Sequence, residues 1–440
     1  MSIPATALDP GARSATGGPT FGEAFRVFLK IGLLSFGGPT AQIALMHRVL
    51  VEERGWLEEQ QFLNALGFCM FLPGPEAMQL ATYTGWRLHG VRGGLVAGLL
   101  FVLPGALLVL TLAAIYATLG QVPIVQAIFV GIKAAVLVIV VEALLRISRR
   151  ALQRRAHWVL AGLSFVAIFF FSVPFPLVIV AAALAGFALA RDGVIGITSG
   201  GSEVSIARTI RTIAVWLLIW VVPLVAIGLF FGADHVLAKL AVFFSKLAVV
   251  TFGGAYAVLA YMAQEVVQTN GWLSAGEMLD GLGLAETTNG PLILVTEFVG
   301  FLAAYRFGGG PPMLMGLMGA LVALWATFAP CFLWIFAGAP YVERLQRAPR
   351  LKGALAGVTA AVVGVILNLS IWFALHVFFE TVNATTWGPL TLWVPDLATL
   401  DWRIVTLSVI SGVALLQFHI GLAWTLLLAA GLALGWYLIT

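Results

Sequence analysis

The chain has 440 residues, of which 61% are hydrophobic and only 10% charged, where soluble domains carry roughly 25% charge. A mean hydropathy of +1.01 leaves too few polar side chains to cover a water-soluble fold, so its solvent is lipid. The net charge of +4 is small, and the Lys and Arg sit in short loops without clustering for nucleic acid. The two cysteines, Cys69 and Cys331, lie far apart in apolar stretches and argue against a disulfide, a metal site or a cluster centre.

Residues 1–20 are polar and rich in Gly and Pro. They lack the apolar core of a signal peptide and read as a disordered tail. Beyond them, thirteen segments are apolar enough to be spans: 21–46, 60–84, 93–119, 124–145, 157–172, 174–190, 212–232, 236–262, 278–303, 311–337, 353–379, 403–419 and 421–439. The pairs 157–190 and 403–439 read as tight helical hairpins. Segments 60–84 and 278–303 carry internal Pro and Gly, and either span or turn back as re-entrant hairpins. With thirteen crossings and a cytoplasmic amino terminus, one side receives Arg13, Arg26, Arg87, Arg92, the cluster Arg146–Arg155, Arg191, Arg208, Arg211 and the run Arg344–Lys352. The other side receives only Arg48, Arg54, Lys239, Arg306 and Arg403. That bias fits the positive-inside rule and puts the carboxyl terminus outside.

The chain also repeats itself. Lys30, Ser35, Gly37, Gly38, Gly55-Trp56-Leu57 and Gly74-Pro75 recur at an offset of 216 as Lys246, Thr251, Gly253, Gly254, Gly271-Trp272-Leu273 and Gly290-Pro291. After a short insertion near Gly308–Pro312 the offset becomes 226, pairing Pro104 with Pro330, Pro123 with Pro349 and Gly131 with Gly357. Six spans in each copy and one between them give the copies opposite orientations, which is a transporter architecture with its site at the repeat interface. The expected division is a tail at 1–20, a first repeat at 21–190, a cytoplasmic connector with a linking span at 191–235, and a second, inverted repeat at 236–440. The expected fold class is an all-α polytopic bundle.

Lys30 and Lys246 are equivalent and stand nine or ten residues into their spans, roughly 15 Å deep at 1.5 Å per residue. A lysine at that depth either snorkels to the interface or faces a polar cavity. Gly37-Gly38, Gly74 and Asn289-Gly290 interrupt helices, and broken helix ends expose N–H groups that bind anions. The alternative use of these glycines is close helix packing. Ser35 and Thr251 add hydroxyls beside each Gly pair. Two lysines, two hydroxyls and the helix breaks form a cage for a doubly charged tetrahedral anion. Glu76 and Glu286 break the repeat symmetry, as do Glu297 and Lys133. Such carboxylates either carry a coupled proton or pair with Lys30, Lys133 or Lys246.

Ser35-Phe-Gly-Gly-Pro39, Gly55-Trp56-Leu57, Pro73-Gly74-Pro75 and Gly85-Trp86 together resemble the signature of the chromate ion transporter family. Thr251-Phe-Gly-Gly254 and Thr288-Asn289-Gly290-Pro291 resemble the second domain of its long-chain members. The likeness covers nearly the whole chain after residue 20. It implies chromate efflux across a bacterial inner membrane, driven by the proton motive force, and chromate resistance. Sulfate, of the same shape and charge, is the alternative cargo. The second copy has Ala255 in place of Pro39 and Asn289 in place of Pro73, so the halves are not expected to act equally. In this reading Glu76 and Glu286 carry the proton, because an ionised carboxylate beside the anion repels it and protonation therefore favours binding. No flavin, haem or cluster motif supports an intramembrane redox enzyme. The expected partners are the oxyanion, protons and lipid, with no nucleic acid, cofactor or metal; a homodimer is left open.

Overall fold

The computed structural model describes residues 18–190, 206–252, 255–342 and 348–439. Most of the expected tail, the connector over 191–205, and Gly253 and Gly254 lie outside the described residues.

Helix α1 (Phe21–Leu34) buries Ala24, Val27, Phe28 and Ile31, an i, i+3, i+4, i+7 stripe. Thr20 caps it, its hydroxyl accepting the Glu23 N–H at 3.2 Å. The expected span 21–46 is interrupted at its Gly pair, as the glycines imply. It breaks at Ser35–Gly37, where Gly37 takes φ 85°, and α2 (Gly38–His47) leads into a wide π-helical turn over Arg48–Glu53. Arg54 then meets Glu23 at 2.9 Å, so the hairpin returns to the face it entered from. The next segment repeats the manoeuvre. Helix α3 (Glu59–Cys69) starts beside His47, with His47 Nε2 and Glu59 Oε2 2.7 Å apart, and breaks before α4 (Glu76–Leu119). Helix α4 itself turns at His89 and Gly90, where φ is −137° and 63°. The His89 ring lies 5.5 Å from that of Phe21, again at the entry face. From Gly90 the chain doubles back on itself: a Cβ on Gly85 or Gly93 would lie 2.3 or 2.2 Å from the carbonyl oxygen of the other.

The second half reproduces these details in the expected register. After α5 (Pro123–Ala151), α6 (Arg155–Phe169), α7 (Phe175–Leu189) and α8 (Ile206–Phe231) come α9 (Val236–Val250) and α10 (Ala255–Ala263). Their π-helical turn spans Gln264–Thr269, 216 residues after the first. Trp56 N–H donates to Leu50 at 2.8 Å and Trp272 N–H to Val266 at 2.9 Å, also 216 apart. Helices α11 (Ala275–Thr287) and α12 (Val295–Phe307) break between them, and α13 (Pro312–Gly338) packs back on α12 through Gly300 and Gly319. His235 Nε2 reaches Gly308 O at 3.0 Å, and Arg306 Nη1 meets Glu277 at 3.0 Å, so these hairpins too return to their own entry face. Helix α14 (Pro349–Phe378), α15 (Trp402–Gly412) and α16 (Leu422–Ile439) complete the bundle.

Among the described residues six helices are long and apolar enough to cross a membrane: α4, α5, α8, α13, α14 and α16. Arg155–Phe169, Phe175–Leu189 and Trp402–Gln417 are apolar but shorter. The other four expected segments, 21–46, 60–84, 236–262 and 278–303, are the broken hairpins. No element was expected between 379 and 403. There the chain forms an antiparallel hairpin of β1 (Val382–Trp387) and β2 (Leu390–Pro395), docked through Thr391 N–H to Phe170 O at 2.7 Å.

The halves exchange their ends. Helix α5 packs on α16 of the second half, where a Cβ on Gly131 would lie 2.2 Å from Ala429 O. Helix α14 packs on α7 of the first half, where a Cβ on Gly357, the equivalent residue, would lie 2.3 Å from Ala182 O. Backbones this close are how helices gain dispersion contact in lipid, where no hydrophobic force separates them from solvent.

Two outcomes check this architecture. Single cysteines at Arg54 and Arg87 should label from the same side of sealed vesicles, and a cysteine at Arg306 from the other. Gly131→Leu and Gly357→Leu should each force two helices apart and destabilise the fold by about 1–3 kcal/mol, read as a loss of thermal stability in detergent.

Candidate functional site at the crossing of the broken helices

Four helix breaks meet inside the protein, and the meeting is reciprocal. Gly290 N–H, from the second half, donates to Ser35 O of the first at 2.9 Å. Gly74 N–H, from the first half, donates to Thr251 O of the second at 2.9 Å. Ser35 and Thr251 are equivalent, as are Gly74 and Gly290. Each half thus satisfies a backbone group that the other half's break has freed, where water cannot do so. Gly74 and Gly290 adopt φ 122° and 92°, a conformation open to glycine and strained for other residues. Neither has room for a side chain. A Cβ on Gly74 would lie 2.8 Å from Gln79 Nε2 and 2.9 Å from Cys331 Sγ; one on Gly290 would lie 3.0 Å from Leu294.

Two glutamines that the sequence reading passed over complete the crossing. Gln42 Nε2 donates to Gly290 O at 2.6 Å and to Ser35 O at 3.3 Å, so it clamps both halves at one break. Gln79 Nε2 donates to Pro73 O at 2.7 Å. Both are buried. Their signal in the sequence was an amide within an apolar run, a few residues beyond each break. Asn289 adds a bond from Nδ2 to Gly32 O at 3.2 Å, again between halves.

The expected cage is assembled only in part. Ser35, Gly74, Thr251, Asn289 and Gly290 are brought together and buried. The hydroxyls of Ser35 and Thr251 donate back along their own helices, to Ile31 O at 2.6 Å and Leu247 O at 2.5 Å. Gly37 and Gly38 both take positive φ, 85° and 76°, at the start of α2 and are half-buried, with open space beside Gly38. Lys30 and Lys246 make no hydrogen bond or ion pair with the crossing residues among the described residues. Each is exposed on the outer face of α1 or α9, and among the described residues neither has an acidic partner. Arg26 and Lys30 lie four residues apart on α1, and Lys239 and Lys246 seven apart on α9, so each pair shares an exposed face leading from a surface toward a break.

The acids have three different settings. Glu76 begins α4 and is half-buried at the crossing, beside the positive end of that helix. Glu286 is buried and accepts the Tyr256 hydroxyl at 2.6 Å. Glu297 is fully buried, and neither carboxylate oxygen has a partner among the described residues. An unpaired charge in such a place costs several kcal/mol, so a proton or a cation must accompany it. Lys133 pairs with none of these. Its partner is Asp280 at 3.4 Å, which also accepts the Tyr116 hydroxyl at 2.8 Å.

The two halves differ in exposure. From Thr288 to Ala304 the second half is buried throughout, whereas in the first half Phe36 is 49% and Met70 46% exposed. The buried stretch is thus longer after the second half's break than after the first's, where Pro75 and Glu76 are half-buried.

Comparison with known proteins agrees with this geometry. The chromate transporter family matches residues 22–187 and 238–436, two stretches that fall on the two halves. The chromate transport protein of Pseudomonas aeruginosa is 32% identical over 406 residues, covering 91% of this chain and 92% of that protein. A probable chromate transport protein of Synechococcus elongatus is 31% identical, over 77% of this chain and 81% of its own length. An uncharacterized transporter of Bacillus subtilis is 30% identical and is covered over 93% of its length by only 37% of this chain, the size of a single half. No solved structure matches. With both halves accounted for in one family, and in relatives matched over nearly their full length, the chain belongs to the chromate transporter family.

Proposed function

We propose that this protein is a secondary transporter that exports chromate across the cytoplasmic membrane by alternating access at the crossing. The observation that carries the reading is the reciprocal pair of backbone bonds, Gly290 to Ser35 and Gly74 to Thr251. It joins two equivalent sets of broken helices at one place, and with inverted halves these sets would enter from opposite faces. The chromate transport protein of Pseudomonas aeruginosa, alike over nearly its full length, supplies the cargo.

In this reading nine helices cross and four broken hairpins do not. Removing hairpins leaves the parity of thirteen unchanged, so the halves keep opposite orientations and the termini opposite sides. It also moves Arg48 and Arg54 to the face of the amino terminus, leaving only Lys239, Arg306 and Arg403 on the other. The stronger bias supports a cytoplasmic amino terminus. The exchanged packing of α5 on α16 and of α14 on α7 opposes rocking of whole halves against each other. The moving parts are instead the broken hairpins, sliding within the frame that the long helices make.

The half-exposed start of α2 at Gly37–Gly38 offers a positive helix end to the dianion. Lys30 and Lys246, on the outer faces of α1 and α9, raise its local concentration along the approach from either side. Glu76 stands at the same crossing, and its negative charge opposes that of the anion, so protonation of Glu76 favours binding. Glu286 and Glu297 are the buried reserve of the same kind. Export of a dianion from a negative interior gains about 2.3 kcal/mol per charge per 100 mV, so the electrical part of the proton motive force drives it outward.

The test is radiolabelled chromate uptake into inside-out vesicles with an interior-positive potential or a pH gradient imposed separately. Uptake should follow the potential. Lys30→Ala and Lys246→Ala should each lower the initial rate about tenfold, and Glu76→Gln should remove its pH dependence while leaving uptake measurable. Equal uptake by vesicles lacking the protein would end the proposal. Strong inhibition by excess sulfate would move the natural cargo to sulfate. For the crossing itself, Gly74→Ala and Gly290→Ala should abolish uptake in protein that still inserts and labels normally.

A further inference from the structure

The inverted halves place one groove twice, once at each face, and the two copies have diverged in charge. At the face where α5 ends and α14 begins, a cavity of about 540 Å³ lies between α6, α7 and α14. At the opposite face a cavity of about 250 Å³ lies between α5, α15 and α16. Their walls correspond residue by residue. From α14 to α5, at the repeat offset of 226, Lys352 becomes Gln126 and Gly353 becomes Ala127. From α6 and α7 to α15 and α16 a constant offset of 247 applies, longer because the β-hairpin intervenes. By it Leu160 becomes Leu407, and Leu189 and Ala190 become Trp436 and Tyr437.

The decisive exchange is at the head of the short helix. Asp401 caps α15, accepting the Arg403 N–H at 2.9 Å, and its carboxylate also pairs with the Arg403 guanidinium at 2.9 Å. The residue in the same place on α6 is Arg154, the N-cap, with no side-chain cap bond. The next turn carries His157 where the other groove has Ile404. His157 Nδ1 is engaged by Ala151 O at 2.9 Å, leaving Nε2 to the cavity. No acid among the described residues pairs with Arg154 or Lys352. One groove is thus lined by aromatic rings, and its Arg403 is neutralised by Asp401. Its twin is twice as roomy, with a rim of Arg154, His157 and Lys352 and a floor of Leu160, Ala356 and Gly357.

We propose that the larger groove binds an anionic phospholipid, its phosphate on the cationic rim and its glycerol and first acyl carbons on the apolar floor. A rim of cations above an apolar wall, where helices leave the membrane, is the chemistry of lipid headgroup recognition. Inorganic phosphate shares the rim chemistry but makes no use of the floor. The bound lipid wedges α6 and α7 against α14, the contact through which the first half holds the second.

The test uses the full-length protein in detergent, with lipid retention read by native mass spectrometry. Phosphatidylglycerol and phosphatidylcholine of identical chains are offered at equal concentration, with and without millimolar inorganic phosphate. The wild type should retain phosphatidylglycerol at least fivefold over phosphatidylcholine, and phosphate should not displace it. The double variant Arg154→Gln/Lys352→Gln should lose that preference, whereas Arg403→Gln, in the twin groove, should keep it. Ala356→Phe, which fills the floor and leaves the charges in place, should also lower retention. Unchanged phosphatidylglycerol retention in the double variant or in Ala356→Phe would overturn the proposal. Displacement by phosphate would overturn it in favour of a free-anion site.

Discussion

A peptide group cannot be left unpaired where there is no water, and this fold is organised around that constraint. Eight helix ends stop within the protein, each with N–H or C=O groups that the helix no longer satisfies. The repeat supplies the remedy by symmetry. Ser35 O takes the N–H of Gly290, and Thr251 O takes the N–H of Gly74. Gln42, Gln79 and Asn289 close carbonyls that these two bonds leave over. Remove the second half and the breaks of the first lose their acceptors and donors together, so the two halves form one structure at the crossing.

The same symmetry governs the periphery. Gly131 and Gly357 let α5 and α14 touch the terminal helices of the opposite half, so each half is held by two elements it does not own. Such a frame is stiff in the long helices and has its discontinuities in the hairpins, where π-helical turns at Arg48–Glu53 and Gln264–Thr269 and glycines of positive φ concentrate. The halves have also drifted apart in detail. Met70 is exposed where Glu286, its equivalent, is buried. Glu297, buried and without a side-chain partner among the described residues, has Ala81 as its equivalent in the first half.

Much of this was legible in the sequence. Hydropathy gave a lipid-embedded helical chain, because 61% apolar residues admit no other solvent. The constant offset of 216 residues survives in three dimensions down to individual turns, since Gly, Pro and Trp mark backbone events, and backbone events are what a repeat preserves. The resemblance to the chromate transporters rested on those same residues, and the family match falls on the same two stretches.

What the sequence could not decide is whether a broken helix crosses or turns back. A run of about 25 apolar residues is the same string whether it crosses or folds at its middle; the outcome depends on whether a partner is present to satisfy the break. Only the tertiary structure shows Arg54 returning to Glu23 and Arg306 to Glu277. It likewise decided that Lys30 and Lys246 stay exposed, because helical phase fixes a residue's neighbours on its own helix but not which side the fold leaves uncovered. The identity of Lys133's partner followed the same rule: Asp280 lies 147 positions away in the sequence, and packing of α5 on α11 brings the pair to 3.4 Å. Sequence determined the solvent, the repeat, the break positions and the family; contact between the halves determined the return of the hairpins and the bonds at the crossing, since each of these joins residues distant in the chain.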